Sequence, residues 1–244
     1  MLIQKGSNSM ADQPSQLPDV LVAEPRPLGL AVAKLPILYA KSLVLPYAKT
    51  FEMEGRRASW GIVWIQILVL IIIPGILGLL RGLHHSARLA ALASTQSAYT
   101  AIASIAAGTS IAATLLQVII IPILFFIGVG IQFLLAKAFR GTGTFLAQSY
   151  ATLLYLVPLT ILSSIISTLF VYLTPLSVQI VAIPVITLAL LILTILLNIA
   201  EVAGVHLLTN NKATAVVLIP YIVGTLISCG LIFYLAHTII AALH

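Results

Sequence analysis

Charge is the scarcest property of this chain. Only 7% of its residues are Asp, Glu, Lys or Arg, against roughly a quarter in soluble domains, and this excludes a water-soluble globular fold. Acid is rarer still. Past Glu54 the only carboxylate is Glu201, so no pair of carboxyl groups is available for general acid and base chemistry in the apolar part of the chain. One cysteine, Cys229, excludes an intrachain disulfide and gives no information about redox compartment. Cys/His clusters are also absent. His84 and His85 are adjacent and point about 100° apart on a helix, a poor metal clamp, while His206 and His237 lie far apart in the chain. No nucleophile elbow, zinc helix or phosphate loop is found, and Gly141-Thr142-Gly143-Thr144 reads as a connector. Enzymatic activity, a cofactor and a metal are therefore not expected. With no internal repeat, the commonest transporter architecture also loses support.

What the chain does have is apolar length. Hydrophobic residues make up 61% of it, and five long runs stand near Gly61 to Leu80, Ile111 to Leu135, Tyr150 to Leu173, Gln179 to Ala200 and Thr214 to Ala242. A helix needs about 20 mostly apolar residues to cross a bilayer. In hydrocarbon every backbone N–H and C=O must pair internally, and uninterrupted apolar runs do so as helices, whereas barrel strands alternate over about 10 residues. The expectation is an all-α membrane bundle of five transmembrane helices occupying residues 60–244. Before it, residues 1–27 are proline-rich and polar and read as a disordered tail. Met1 to Pro18 lacks an apolar h-region, so the first span is expected to act as an uncleaved anchor.

The net charge of +6 does not indicate nucleic acid, because the basic residues are distributed among the segments that flank the spans. Lys5, Arg26, Lys34, Lys41, Lys49, Arg56 and Arg57 precede the first span, Lys137 and Arg140 follow the second, and Lys212 follows the fourth, all on one side; the other side has only Arg81 and Arg88. The positive-inside rule then predicts a cytoplasmic N-terminus and a C-terminus outside or in a lumen. Trp60 and Trp64 fit an interfacial position at the start of the first span. Residues 28–59 form a juxtamembrane segment, with a short basic amphipathic helix expected to start near Pro36 and lie on the membrane surface. Lys34, Lys41, Lys49, Arg56 and Arg57 are its candidate lipid-headgroup contacts. Packing of that helix under the bundle is the alternative.

Each span holds one proline: Pro74, Pro122, Pro158, Pro184 and Pro220. They are read as shape-fitting rather than as gate hinges, because proline is common in membrane helices. Glu201 follows Asn198 by three positions, which places both on one helix face. A charge at mid-bilayer costs about 2.5 to 3.5 kcal/mol on insertion scales, so such a residue is a functional candidate. Here it is expected at the cytoplasmic end of the fourth span, within reach of the interface or of Lys212. Thr160, Ser163, Ser164, Ser167 and Thr168 fall at helical spacing in the third span. Such hydroxyls either line a hydrated path or, more commonly, hold helices together. Gln66, Gln117 and Gln132 fit the same packing role. The Ala/Ser/Thr-rich stretch from Arg81 to Ser110 is expected to be helical, resting on the outer face or lengthening the second span. Its rows Ala93, Ser97, Ala101 and Ala90, Ser94, Ala98 make self-association into a homo-oligomer plausible.

Leu45-Pro46 with Phe51 and Trp60, Phe145-Leu146-Ala147-Gln148-Ser149-Tyr150 leading to Pro158, and Val205-His206-Leu207-Leu208 leading to Lys212-Ala213 and Pro220 together resemble the Yip-one domain family. The resemblance covers about Leu45 to Leu231. It implies five spans, a cytoplasmic N-terminal segment and an external or lumenal C-terminus. Eukaryotic members are associated with Rab GTPases and with traffic between endoplasmic reticulum and Golgi, which would place a eukaryotic chain there. The eukaryotic pattern carries an Asp-Leu-Tyr-Gly-Pro-type motif before the first span. This chain has Pro46-Tyr47-Ala48-Lys49-Thr50-Phe51 instead, so GTPase binding is not expected and a prokaryotic plasma membrane is favoured. The functional expectation is a non-enzymatic scaffold or adaptor with lipid and membrane-protein partners. The alternative is a translocator of small solutes or lipids that uses Asn198, Glu201 and the third-span hydroxyls.

Overall fold

A computed structural model describes residues 27–44, 47–92 and 97–242. The tail expected to be disordered, the Leu45-Pro46 pair and most of both small-residue rows lie outside the described residues or their described side chains. Among the described residues the chain is all-helical: α1 (Leu28–Val44), α2 (Ala48–Gly55), α3 (Trp60–Leu92), α4 (Ser97–Ala138), α5 (Phe145–Leu173), α6 (Leu176–His206) and α7 (Asn210–Ala242). Stretches of α3 through α7 are long and apolar enough to cross a membrane, namely Trp60–Arg88, Ile111–Ala138, Phe145–Leu173, Val181–His206 and Asn210–Leu231. Each of the five expected prolines lies inside one of these helices.

The helix limits follow from local chemistry. Thr144 starts α5 as its N-cap, its hydroxyl accepting from the Ala147 N–H at 3.2 Å, which occupies one of the orphan donors of the first turn. At the other end of α5, the Gln179 side chain donates to the carbonyls of Thr174, Phe170 and Val171 at 2.8, 3.3 and 3.4 Å. It thereby pins the short turn into α6. Two non-glycine residues, Arg140 (φ 67°) and Leu207 (φ 54°), adopt the left-handed conformation that closes α4 and α6. Behind them the Gly141 N–H donates to the Ala136 carbonyl at 2.8 Å and the Leu208 N–H to the Ala203 carbonyl at 3.1 Å. Left-handed backbone costs a non-glycine residue about 1 to 2 kcal/mol. Both strained residues lie at the same end of the bundle.

That end is also where the core sits. Phe51, Ile62, Val63, Ile67, Leu153, Leu154, Tyr155 and Leu197 are sealed from the surface, and an aromatic group joins Trp60, Phe126, Phe133 and Phe145 at ring distances of 5.6 to 6.3 Å. Toward the other end, α4, α6 and α7 turn Leu115, Val181, Leu226 and Phe233 outward. Such exposure is untenable in water and costs nothing against lipid tails, where burial brings no hydrophobic gain.

The juxtamembrane segment departs from its expected form. α1 starts at Leu28 and passes through Pro36 rather than starting there. Its stripe Ala31, Leu35, Leu38 and Ser42 is buried, and the Ser42 hydroxyl donates to the Leu154 carbonyl of α5 at 2.8 Å. α1 is therefore docked against the bundle along one face. α3 runs on from Leu80 to Leu92, and α4 starts well before Ile111.

Candidate functional site

The segment Phe145 to Tyr155 opens α5, and Asn198 to His206 closes α6. On α5, Gln148, Thr152 and Tyr155 recur at i, i+4 and i+7 and so share a face; on α6, Asn198 and Glu201 share one. The two faces meet in antiparallel register. Gln148 pairs with His206, Thr152 stands beside Glu201, and Tyr155 lies within electrostatic reach of the same carboxyl.

His206 is wholly buried, its Nε2 2.9 Å from Gln148 Oε1. An amide oxygen only accepts, so this pairing puts the ring proton on Nε2. The connector Gly141 to Gly143 wraps the same residue. The Thr142 N–H donates to the His206 carbonyl at 3.1 Å, and the Thr142 hydroxyl approaches that oxygen at 3.4 Å. A Cβ on Gly141 would meet the His206 ring at 2.9 Å, and one on Gly143 would meet the Val205 carbonyl oxygen at 2.6 Å. The glycines are there for close approach, since neither has a positive φ. Lys137 extends over the Phe133 ring, 5.4 Å from its centroid, and donates to the Gly141 carbonyl at 3.2 Å.

From the other side α2 closes on α6. Gly204 accepts the backbone of Ala48 so closely that no side chain fits between them, and Phe51 meets Tyr155 edge-on at 6.2 Å. The α6 residues Glu201 to His206 are consequently all buried.

Glu201 is thus enclosed within the bundle rather than lying along its surface. It is 0% exposed and reaches neither the surface nor Lys212, which is exposed at the start of α7. α6 continues past it to His206, about 1.7 turns further than the expected end of that span at Ala200. Among the described residues, neither carboxylate oxygen has a hydrogen-bond partner. The Thr152 hydroxyl stands beside that carboxyl as a hydrogen-bonding neighbour, though no bond of good geometry closes between them, and Asn198 Oδ1 is without a partner as well. Ser149 Oγ, Gln148 Nε2 and His206 Nδ1 extend this set of enclosed, unmatched polar atoms.

The third-span hydroxyls are not part of it. Thr160, Ser163, Ser164 and Ser167 begin eight residues beyond Thr152 on α5, about 12 Å away along the axis. Thr160 and Thr168 donate to the Leu156 and Ser164 carbonyls of their own helix, each at 2.7 Å. Ser164 is buried and its carbonyl faces Arg81 of α3 at 3.5 Å, while Ser163 and Ser167 are half-buried.

Among the candidate headgroup contacts, Lys34 and Lys49 are exposed and Lys41 is half-buried. Arg56 pairs with Glu52 at 2.7 Å and Arg57 with Glu54 at 3.6 Å. The exposed Arg56–Glu52 pair contributes roughly 0.2 to 1 kcal/mol, whereas Glu54 is buried beside its partner. Tyr39 faces inward from α1. Burial, with a smaller contribution from Tyr150, holds its phenol above the usual range, and its hydroxyl has no partner among the described residues.

Single-residue reading overlooked Gln148, Thr152 and His206, because their chemistry exists only across two helices. A signal was present, since Gln148 and His206 stand in the two sequence patterns that carry the family resemblance.

Five apolar helices of membrane-crossing length, joined at one end through a buried polar contact between α5 and α6, define an integral multi-pass membrane protein. The chain belongs to the Yip1 domain family, whose model matches residues 41–232, from the last turn of α1 well into α7. No curated protein and no solved structure matches it.

Proposed function

We propose that this chain is a non-enzymatic membrane adaptor whose working surface is the end of the bundle formed by α2, the segment from Lys137 at the end of α4 through the connector to Gly143, and the segment from Thr209 to Lys212 at the start of α7. The observation that carries this reading is the docking at that end. α2 and the connector both close on the last turns of α6, through Gly204–Ala48 and Thr142–His206, so a folded platform is held against the spans. Lys49, Arg140 and Lys212 are exposed around it, a basic rim suited to acidic protein surfaces or anionic headgroups.

By the positive-inside rule this end is cytoplasmic, and the ends of α3, α5 and α7 face outward. The membrane we assign is a prokaryotic plasma membrane, on the sequence that stands in place of the eukaryotic motif before Trp60. The translocator alternative requires hydroxyls free to line a path, and those of Thr160 and Thr168 are turned onto their own helix.

The test is affinity purification of the tagged full chain in mild detergent, alongside a variant with Lys137→Glu, Arg140→Glu and Lys212→Glu. Recovery of a reproducible protein partner or of enriched anionic lipid with the wild type, lost in the variant, is the expected result. Recovery of neither with the wild type overturns the proposal.

A further inference from the structure

Beyond the adaptor reading, the structure assigns Glu201, Asn198 and Thr152 as a binding site for a small monovalent cation of sodium size, enclosed between α5 and α6. Four oxygen atoms carry the argument: both carboxylate oxygens of Glu201, Oδ1 of Asn198 and Oγ1 of Thr152. All four are buried, and among the described residues none closes a hydrogen bond of good geometry, even though the Thr152 hydroxyl neighbours the carboxyl. They come from facing surfaces of two helices. Asn198 stands three residues before Glu201 on α6, and Thr152 stands beside that carboxyl on α5. Buried polar atoms in folded proteins are almost always matched, so four unmatched acceptors on facing turns of two helices require an explanation.

The chemistry of the set selects the ligand. Carboxylate, amide carbonyl and hydroxyl oxygens are hard donors suited to hard cations, and the set contains no nitrogen or sulfur ligand. Charge selects the valence. One carboxylate neutralises one positive charge, whereas a divalent ion would leave an uncompensated charge inside a region where that is costly. No arginine or lysine supplies the counter-charge: among the described residues, Arg56 and Arg57 pair within α2 and its turn, Lys137 is held over Phe133, and Lys212 is exposed. The surroundings suit a bare ion rather than an organic cation, because Glu201 is fully enclosed and α2 covers this end through Phe51 on Tyr155 and Ala48 on Gly204. The rival occupant of the same lone pairs is a proton on the carboxyl, and the two are separable by experiment.

The full chain is purified in detergent and its thermal unfolding followed by the fluorescence of Trp60 and Trp64, while sodium chloride replaces choline chloride at constant ionic strength and fixed pH. A saturable rise in Tm with sodium, absent in choline, is expected, because a ligand bound only by the folded state stabilises it by mass action. Glu201→Gln abolishes the rise, and Thr152→Val, which keeps the shape and removes one oxygen, moves the half-saturating sodium concentration up by about tenfold. Identical Tm values in sodium and choline for the wild type overturn the assignment in favour of a proton. A sodium-dependent rise that persists in Glu201→Gln also overturns it, since the ion then binds elsewhere. Should Glu201→Gln fail to fold, Thr152→Val decides alone: an unchanged half-saturation point overturns the site.

Discussion

Gln148 of α5 and His206 of α6 are both sealed from the surface and meet at 2.9 Å between Oε1 and Nε2. They sit in the Phe145-to-Tyr150 and Val205-to-Leu208 stretches, so two sequence patterns separated by most of two spans are one physical joint. Around it lie the left-handed residues Arg140 and Leu207, the connector glycines and the covering helix α2. Replacing Gln148 by Leu leaves the buried Nε2–H of His206 without an acceptor. A loss of about 1 to 3 kcal/mol is expected, seen as a lower unfolding midpoint in detergent. The double variant Gln148→Leu with His206→Leu should lose less than the sum of the two single changes; strict additivity would mean the pair is not coupled.

Gly204 and Gly128 offer a matched comparison. Both are helical, but Gly204 faces the backbone of Ala48 with no room for a methyl group, whereas Gly128 has nothing within 4 Å. Gly204→Ala is expected to destabilise by roughly 1 to 3 kcal/mol and to expose α2 to limited proteolysis near Arg56. Gly128→Ala should be neutral or stabilise by up to about 1 kcal/mol. Equal protease resistance of the two variants would contradict the close docking of α2 on α6.

Tyr39 is expected to set an alkaline limit on the docking of α1. Its phenol is held above the ordinary range by burial, so the folded state keeps the proton more tightly than the unfolded state. The contribution is therefore fully present below the ordinary phenol pKa of about 10 and declines as pH rises beyond it. Tyr39→Phe removes both the titration and a hydroxyl without a partner. Its stability near neutral pH should match or exceed that of the wild type, and its fall between pH 9 and 11 should be shallower. A variant less stable at neutral pH would show that the hydroxyl is matched in solution.

The assigned orientation places the N-terminus in the cytoplasm and the C-terminus across the membrane. Reporter tags fused separately to Met1 and His244 should give opposite compartments in intact cells. Tags reporting the same side would refute the odd number of crossings.

Five helices, their prolines and their lipid setting were legible from residue order alone, because hydrocarbon allows one local solution: a run such as Ile111 to Leu135 satisfies its own backbone only as a helix, whatever surrounds it. The kinship of Asn198 with Glu201 was legible for the same reason, since a spacing of three fixes a shared face within one helix. What lay beyond reach were relations between helices. Glu201 reads as interfacial when counted along its run, yet α6 continues to His206 while α2 and the Gly141-to-Gly143 connector bury its last turns. Thr152 joins Glu201 and Thr160 does not, because the Gln148–His206 contact sets the α5/α6 register, and no pattern within either helix encodes it. α1 is docked rather than loose for a similar reason: Ala31, Leu35, Leu38 and Ser42 form a stripe that suits a membrane surface or a neighbouring helix equally well, and only Leu154 of α5, more than a hundred residues away, decides between them.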